Sequence, residues 1–261
     1  MSPRSTWSGA TAAGERRRRD PIDARAELPT TQTRPPADAR RIRLLAAVAC
    51  AALAAFAALT ALVATDQLRG FDAGAFRTAD DLRAAWLDSA ARAITTLGLI
   101  AVVGPAVALG GAWLISRRRG ARGASLIAGA ALAWLTVWIA KSLVDRSRPP
   151  APLVHTAGQS YPSAHAANSV GWFALAIALA AVISVRGGRI AAIAAGALLA
   201  VLVGLSRVYL RAHYLSDVLG GEALAVAMYA FAAVAALGWR ARRRAALHLD
   251  PVARRQQPHL D

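Results

Sequence analysis

Long uncharged apolar runs constrain the fold of this chain more than any other feature of its sequence. Five runs carry no charged residue, and the sixth carries a single carboxylate, Glu222. A helix needs about 20 mostly apolar residues to cross roughly 30 Å of hydrocarbon, and within lipid it satisfies its own backbone hydrogen bonds. The runs therefore predict an all-α integral membrane protein, a bundle of six transmembrane helices. They lie at residues 44–64, 93–116, 123–140, 166–185, 190–206 and 218–239.

The basic residues lie between these runs, and the formal net charge is +16. Arginines cluster before the first run, between the second and third, between the fourth and fifth, and after the sixth. With six crossings all four clusters fall on one side of the membrane, which the positive-inside rule makes the cytoplasm. We therefore expect a multi-pass protein of the plasma membrane with both termini cytoplasmic. The charge then reflects topology, and no nucleic-acid partner is needed to explain it.

Composition divides the chain into three predicted segments. Residues 1–41 are rich in arginine and proline and are predicted to form a disordered, basic cytoplasmic tail. Residues 42–245 form the six-helix membrane domain, and residues 246–261 form a cytoplasmic C-terminal tail. Cys50 is the one cysteine of the chain, so an intramolecular disulfide is excluded.

Two of the predicted outward loops are unusually rich in cations and imidazoles. Loop 141–165 reads KSLVDRSRPPAPLVHTAGQSYPSAH, and loop 207–217 reads RVYLRAHYLSD. Pro162 and Ser163 are typical of a helix start, where free backbone N–H groups favour a bound anion. His213 and Asp217 are four residues apart, so on a helix they would share a face, where the carboxylate would fix the imidazole tautomer.

These residue types fit phosphoryl transfer at a site near the extracytoplasmic face. Fixed cations neutralise the phosphate oxygens, one histidine attacks phosphorus, and the other protonates the leaving oxygen. No metal and no other cofactor is required, because lysine and arginine supply the positive charge. The alternative is a metal site formed by His165, His213 and Asp217. Several cations beside a divalent metal would oppose it.

Three motifs occur in a fixed order along the loops. They are Lys141-x6-Arg148-Pro149, then Pro162-Ser163-Ala164-His165, then Ser206-Arg207-x5-His213-x3-Asp217. Their combined spacing resembles the signature of the type 2 phosphatidic acid phosphatases, the lipid phosphate phosphatases, in a bacterial membrane-bound form. The resemblance covers about residues 44–240. The family usually has glycine where this chain has Ala164, which keeps the backbone N–H.

The resemblance implies a metal-independent hydrolase that acts on a phosphorylated membrane lipid through a phosphohistidine. His213 resembles the nucleophile, Asp217 the carboxylate that orients it, and His165 the acid that protonates the leaving group. The residues that resemble phosphate ligands are Lys141, Arg148, Ser163, Ala164 and Arg207. Lys141 is also the one lysine of the chain, in a position where a compact ammonium can approach a phosphate.

The motifs bind phosphate and therefore leave the lipid open. We expect a polyprenyl pyrophosphate, undecaprenyl or decaprenyl, cleaved for recycling of the cell-wall lipid carrier. Phosphatidic acid, phosphatidylglycerol phosphate and diacylglycerol pyrophosphate are alternatives. A lipid phosphotransferase is a further alternative, as is a transporter or structural protein without turnover.

Residues 78–92 are predicted to form an amphipathic helix in the first outward loop, with Thr78 and Asp81 as its capping box. Two interpretations are open for this segment, an ordinary interfacial helix or a lid over the lipid entry.

Overall fold

The structure is a computed structural model that describes the backbone of residues 37–255 and the side chains of residues 38–243. Every regular element in that part of the chain is an α-helix, which confirms the all-α prediction. The helices are α1 (Ala37–Ala64), α2 (Arg69–Asp81), α3 (Ala85–Thr96), α4 (Ile100–Ser116), α5 (Gly120–Val144), α6 (Ala164–Ala180), α7 (Arg186–Tyr209) and α8 (Leu215–Arg255).

Four helices in the described residues are long and apolar enough to cross a membrane, which confirms the integral membrane class. They are Asp38–Ala64 of α1, Gly120–Val144, Arg186–Tyr209, and Leu215–Arg243 of α8. Helices α3 and α4 form a fifth span if the pair is counted as one, although they are bent by 48°. Helix α6 is apolar but has only 17 residues, which corresponds to about 26 Å. The count of six crossings therefore stays a prediction.

The bend between α3 and α4 interrupts the run 93–116, which the sequence predicts as one helix. Trp172 Nε1 of α6 donates to the carbonyl of Leu97 at 2.8 Å, and Asn168 Nδ2 donates to that of Gly98 at 3.1 Å. A side chain at Gly98 would lie 3.1 Å from the Cβ atom of His165. The break therefore lets the backbone pass directly beside the first turns of α6.

The segment between α1 and this bend contains two helices rather than the single helix predicted from residue 78. Thr78 lies inside α2 and donates its hydroxyl to the carbonyl of Gly74, so the predicted capping box is wrong. Helix α3 begins only at Ala85, after the extended residue Ala84. Trp86, on α3, is 72% exposed, as either interpretation of this segment requires.

Helix α8 is the central packing element, since it contacts α1, α5 and α6. Its buried partners include Ala133 and Val137 of α5 and Ala167 of α6. Small side chains of this kind let membrane helices approach closely. At Gly221 the approach is also close, because a Cβ atom there would lie 2.4 Å from the carbonyl oxygen of Ser163. The start of α8 is thereby held against the loop that leads into α6.

The predicted tails meet the described residues at both ends of the chain. Helix α1 begins at Ala37, before the predicted boundary at residue 42, and the backbone of α8 continues to Arg255. Residues 1–36 and 256–261 lie outside the described residues, so most of the predicted disordered tail does as well.

Candidate active site

The predicted site residues come from four parts of the chain that meet at one end of the bundle. These parts are the last turn of α5, the loop between α5 and α6, the start of α6, and the segment from the last turn of α7 to the first turn of α8. Backbone bonds tie them together: Ser163 N donates to Asp217 O at 2.9 Å, and Ser160 N donates to Arg146 O at 2.8 Å. The two loops that the motifs occupy are thus adjacent in space.

His213 lies in the turn before α8 and is 2% exposed. Its Nδ1 atom is 3.4 Å from Asp217 Oδ2, and its Nε2 atom is 3.2 Å from Arg148 Nη1. Because a guanidinium can only donate, Nε2 must be the acceptor and Nδ1 must carry the proton. Burial lowers the pKa of the His213 imidazole to about 4, although the Asp217 carboxylate opposes this change. The ring is therefore neutral near pH 7, with a lone pair on Nε2.

The predicted pairing of His213 and Asp217 occurs, but not through a shared helix face. Helix α8 begins at Leu215, so only Asp217 is helical, in the first turn. The Tyr214 backbone N–H and the Ser160 hydroxyl donate to Asp217 Oδ2 at 3.0 and 2.5 Å. The carboxylate is completely buried and is oriented by these donors together with His213.

Arg146 is a part of the site that the sequence interpretation missed. Its Nη1 atom donates to Asp217 Oδ1 at 2.6 Å, and its Nη2 atom donates to Asp72 Oδ2 at 2.8 Å. Asp72, on α2, also accepts from the backbone N–H and the hydroxyl of Ser216. Both carboxylates are buried, so Arg146 supplies the positive charge that each needs. Its place in a predicted outward loop, two residues before Arg148, was the available signal.

Backbone carbonyls hold two of the predicted phosphate ligands. Arg148 donates to the carbonyls of Ala157, Gly158 and Ala212 at 2.7–2.9 Å. Lys141 Nζ donates to the carbonyl of Gln159 at 2.7 Å. Carbonyl oxygens orient these cations without neutralising them, so their charge is available to an anion.

Arg207 is 5% exposed and donates from Nη1 to the hydroxyl of Thr95 at 2.8 Å. Its Nε atom is buried and has no hydrogen-bond acceptor within the protein. His165, in the first turn of α6, experiences the charges of Arg207, His213, Arg148 and Lys141. The three predicted phosphate-binding cations and His213 therefore all act electrostatically on His165.

Ser163 and Ala164 begin α6 as the Pro-Ser pair predicted. Ser163 is the N-cap, and its hydroxyl accepts from the backbone N–H of Ala166 at 3.4 Å. Ala164 is the first helical residue and is not among the residues with positive φ. Alanine therefore fits this position without backbone strain, where the resembling family has glycine.

The metal-site alternative is not supported by the donor arrangement. Among the side chains that the structure describes, no three histidine, cysteine, aspartate or glutamate residues are grouped as they would be around a metal ion. Instead, Arg148 contacts His213, and the charges of Arg207, Arg148 and Lys141 act on His165. This arrangement suits an anion.

A helical membrane bundle that gathers three cations, two imidazoles and a buried carboxylate at one end defines a class of membrane enzyme acting on phosphate groups. The sequence pattern of the PAP2 superfamily matches residues 122–243. Phosphatidylglycerophosphatase B of Bacillus subtilis (strain 168) is 31% identical over 172 residues, which are 64% of this chain and 84% of that protein. The chain therefore belongs to the PAP2 superfamily.

A solved structure supports the same assignment. The crystal structure of a transmembrane PAP2-type phosphatidylglycerolphosphate phosphatase from Bacillus subtilis matches with a TM-score of 0.65 and 28% identity. The match covers 70% of this chain and 93% of that one. The protein is thus a membrane-embedded hydrolase of the PAP2 lipid phosphatases, which confirms the predicted enzyme class.

Proposed function

We propose that this phosphatase works through a phosphohistidine formed at Nε2 of His213. The observation that carries the proposal is the position of His213 between Asp217 and Arg148. Asp217 holds the proton on Nδ1, so the lone pair of Nε2 points toward the cationic side of the site. Arg148 lies where a phosphoryl oxygen would bind next to that lone pair.

The first half-reaction transfers the phosphoryl group to the enzyme. Nε2 of His213 attacks phosphorus and the bond to the leaving oxygen breaks. His165, which becomes protonated when the phosphate anion binds and offsets the surrounding cations, donates its proton to that oxygen. Arg148, Arg207 and Lys141 bind the phosphoryl oxygens, as do Ser163 and the Ala164 N–H. The buried Nε of Arg207, which has no acceptor within the protein, is suited to this contact.

The second half-reaction regenerates the enzyme with water as the acceptor. His165, now neutral, removes a proton from water while the water oxygen attacks phosphorus and the P–N bond breaks. Inorganic phosphate leaves, and the site returns to its starting protonation state. No metal enters either step. If another hydroxyl replaced water, the same site would act as a phosphotransferase.

For the lipid we propose phosphatidylglycerol phosphate first and a polyprenyl pyrophosphate second. The names of the Bacillus subtilis relative and of the matching solved structure favour the first substrate. The phosphate-binding motifs suit the second equally well, since both lipids present a terminal phosphate. Phosphatidic acid and diacylglycerol pyrophosphate complete the set to be tested.

The deciding experiment measures inorganic phosphate released by the purified full-length protein in detergent. The panel contains the four lipids, each with and without excess EDTA. We expect release from one lipid above the others, unchanged by EDTA, and loss of activity in His213→Ala. His155→Ala is the matched control, because His155 lies exposed in the loop 145–163 and no motif includes it.

The outcomes separate the alternatives. Phosphate release that EDTA abolishes would contradict the metal-free mechanism. Activity that needs an added alcohol acceptor would identify a phosphotransferase. A radiolabelled, acid-labile and base-stable phosphoenzyme in the wild type, absent from His213→Ala, is the expected signature of the intermediate.

We also propose that the site faces the extracytoplasmic side of the plasma membrane, with both termini cytoplasmic. The described arginines Arg117, Arg118, Arg186, Arg189 and Arg240 support this orientation, since they lie at the ends of helices away from the site. In this proposal residues 42–245 form the phosphatase domain, with residues 1–41 and 246–261 as cytoplasmic tails.

A further inference from the structure

A cavity lies at the end of the bundle opposite the catalytic residues. It has a volume of about 730 Å³ and is bounded by α1, α5, α6, α7 and α8. Its walls are largely aliphatic and aromatic, with Leu44, Phe173, Ile177 and Tyr229 among them. Such a volume falls within the range of about 300–1,000 Å³ that is typical of ligand pockets.

The basic end of the cavity is remote from the phosphatase site along α5 and α8. On α5, Arg122 lines the cavity and Lys141 belongs to the site, and 19 residues of helix separate them, or roughly 28 Å. On α8 the corresponding residues are Arg240 and Asp217. These arginines are therefore separated from the catalytic residues by about the thickness of the hydrocarbon layer, although the apolar part of the cavity reaches Val170 on α6.

Positive charge is concentrated at the end of the cavity farther from the catalytic residues. Arg41, Arg122, Arg189 and Arg240 all line it, against one carboxylate, Asp38. The Arg122 guanidinium experiences the charges of Arg41 and Arg240, as well as that of Arg119. The like charges of Arg41, Arg122 and Arg240 repel one another, and an anion bound between them offsets this repulsion.

Arg122 supplies a second and independent observation. Its Nη1 atom is buried and has no hydrogen-bond acceptor within the protein. Among the described side chains the only other buried nitrogen of this kind is Nε of Arg207, in the candidate phosphate site. A buried donor without an acceptor is costly, so both positions favour a ligand that brings anionic oxygens.

We propose that this cavity binds an anionic phospholipid of the membrane leaflet opposite the catalytic site. The phosphate contacts Arg122 and Arg240, and an acyl chain occupies the space between α1, α6 and α8. Basic pockets between membrane helices bind acidic lipid head groups by this combination of charge and apolar surface. A zwitterionic lipid fits less well, because its own cation would lie beside the arginines.

The test is a lipid titration of the purified full-length protein in detergent, followed by its thermal unfolding temperature. Dioleoyl phosphatidylglycerol is the probe, and dioleoyl phosphatidylcholine and glycerol 1-phosphate are the comparisons. We expect phosphatidylglycerol to raise the unfolding temperature in a saturable way. The other two compounds should have little effect, since one lacks net charge and the other lacks acyl chains. An equal rise with phosphatidylcholine, or with glycerol 1-phosphate, would contradict the proposal.

Variants test whether phosphatidylglycerol binds in this cavity. Arg122→Gln with Arg240→Gln should weaken phosphatidylglycerol binding about 30-fold, or roughly a factor of five for each arginine. Arg117→Gln with Arg118→Gln removes the same charge at the same end of the bundle, outside the cavity lining, and should leave binding unchanged. Arg148→Gln alters the phosphatase site and should also leave binding unchanged. Loss of binding only in Arg148→Gln would place the lipid in the catalytic site and overturn the proposal.

A measurement on the wild-type protein covers the case in which the double variant does not fold. Native mass spectrometry of the protein with equal amounts of both lipids should show phosphatidylglycerol retained in preference to phosphatidylcholine. Equal retention of both lipids would contradict the proposal. Neither measurement uses phosphate release, so the result is independent of the proposed catalytic mechanism.

Discussion

Arg146 and Asp217 form a buried ion pair, with 2.6 Å between Nη1 and Oδ1, directly behind the histidine that carries the chemistry. The same guanidinium binds Asp72 of α2 and lies 4.0 Å above the ring of Tyr214. Arg146 thus links α2 to Asp217, the carboxylate that orients His213. Arg146 is a positioning residue in this arrangement, because it acts on the reaction only through Asp217.

Arg146→Gln is therefore expected to cost about 3 kcal/mol of stability, since it leaves Asp72 and Asp217 buried without a counter-charge. Arg83 offers a matched control: it also bridges two aspartates, Asp80 and Asp88, but at the surface. Arg83→Gln should cost less than about 1 kcal/mol. Thermal unfolding in detergent gives the comparison, and equal losses for the two variants would contradict the assigned role of Arg146.

The acid side of the pH profile is expected to report the ionisation of His213. Burial holds its pKa at about 4, so the nucleophile is neutral above that pH and the rate falls as pH drops through it. Asp217→Asn removes the carboxylate that favours the protonated ring, so the acid limb should move to lower pH while kcat falls. The substrate also titrates, but identically in both proteins, so the difference between the two profiles measures the enzyme. If the acid limb of Asp217→Asn lies at the same pH as that of the wild type, the limb reports the ionisation of a group other than His213.

Several features of the site could be predicted from the sequence because they are local. The motif spacing named His213, Asp217 and Arg148, and the Pro-Ser pair predicted the start of α6 correctly. The link between Asp72 and Arg146 could not be predicted, since 74 residues separate them and no spacing rule joins them. Gly98 is one of four glycines in the run 93–116, so it was too weak a signal for the break, which depends on hydrogen bonds from α6.

Gly98→Ala tests the contact between that break and the site. The new Cβ atom would lie 2.6 Å from Val203 Cγ1 and 3.1 Å from both Cβ and the carbonyl oxygen of His165. Val203 must shift and the first turn of α6 must yield by a few tenths of an ångström; a misplaced catalytic group lowers kcat by about tenfold or more. Gly70→Ala is the control, because nothing lies within 4 Å of its added Cβ atom. Equal kcat values for both variants would show that His165 tolerates the displacement.

The proposed orientation can be tested with single thiols, because Cys50 is the one cysteine in the chain. In a Cys50→Ser background, His155→Cys places a thiol in the loop of the site, and Ser116→Cys places one at the far end of α4. A membrane-impermeant maleimide applied to intact cells should label position 155 and not position 116. The reverse pattern would place the site in the cytoplasm. Labelling of both positions after membrane disruption confirms that each thiol is reactive.

The division of labour between the two histidines predicts a dependence on the leaving group. A lipid alkoxide leaves poorly without a proton, so His165→Gln should lower the rate of lipid phosphate hydrolysis by about 10²–10⁴-fold. p-Nitrophenolate is stable as an anion and needs little protonation, so the first step with p-nitrophenyl phosphate should be much less affected. Burst kinetics should then show the phosphoenzyme forming quickly and decaying slowly, because His165 also activates the water. His213→Ala should abolish the reaction with both substrates. An equal loss of the first step with both substrates in His165→Gln would mean that His165 binds the phosphate rather than protonating the leaving group.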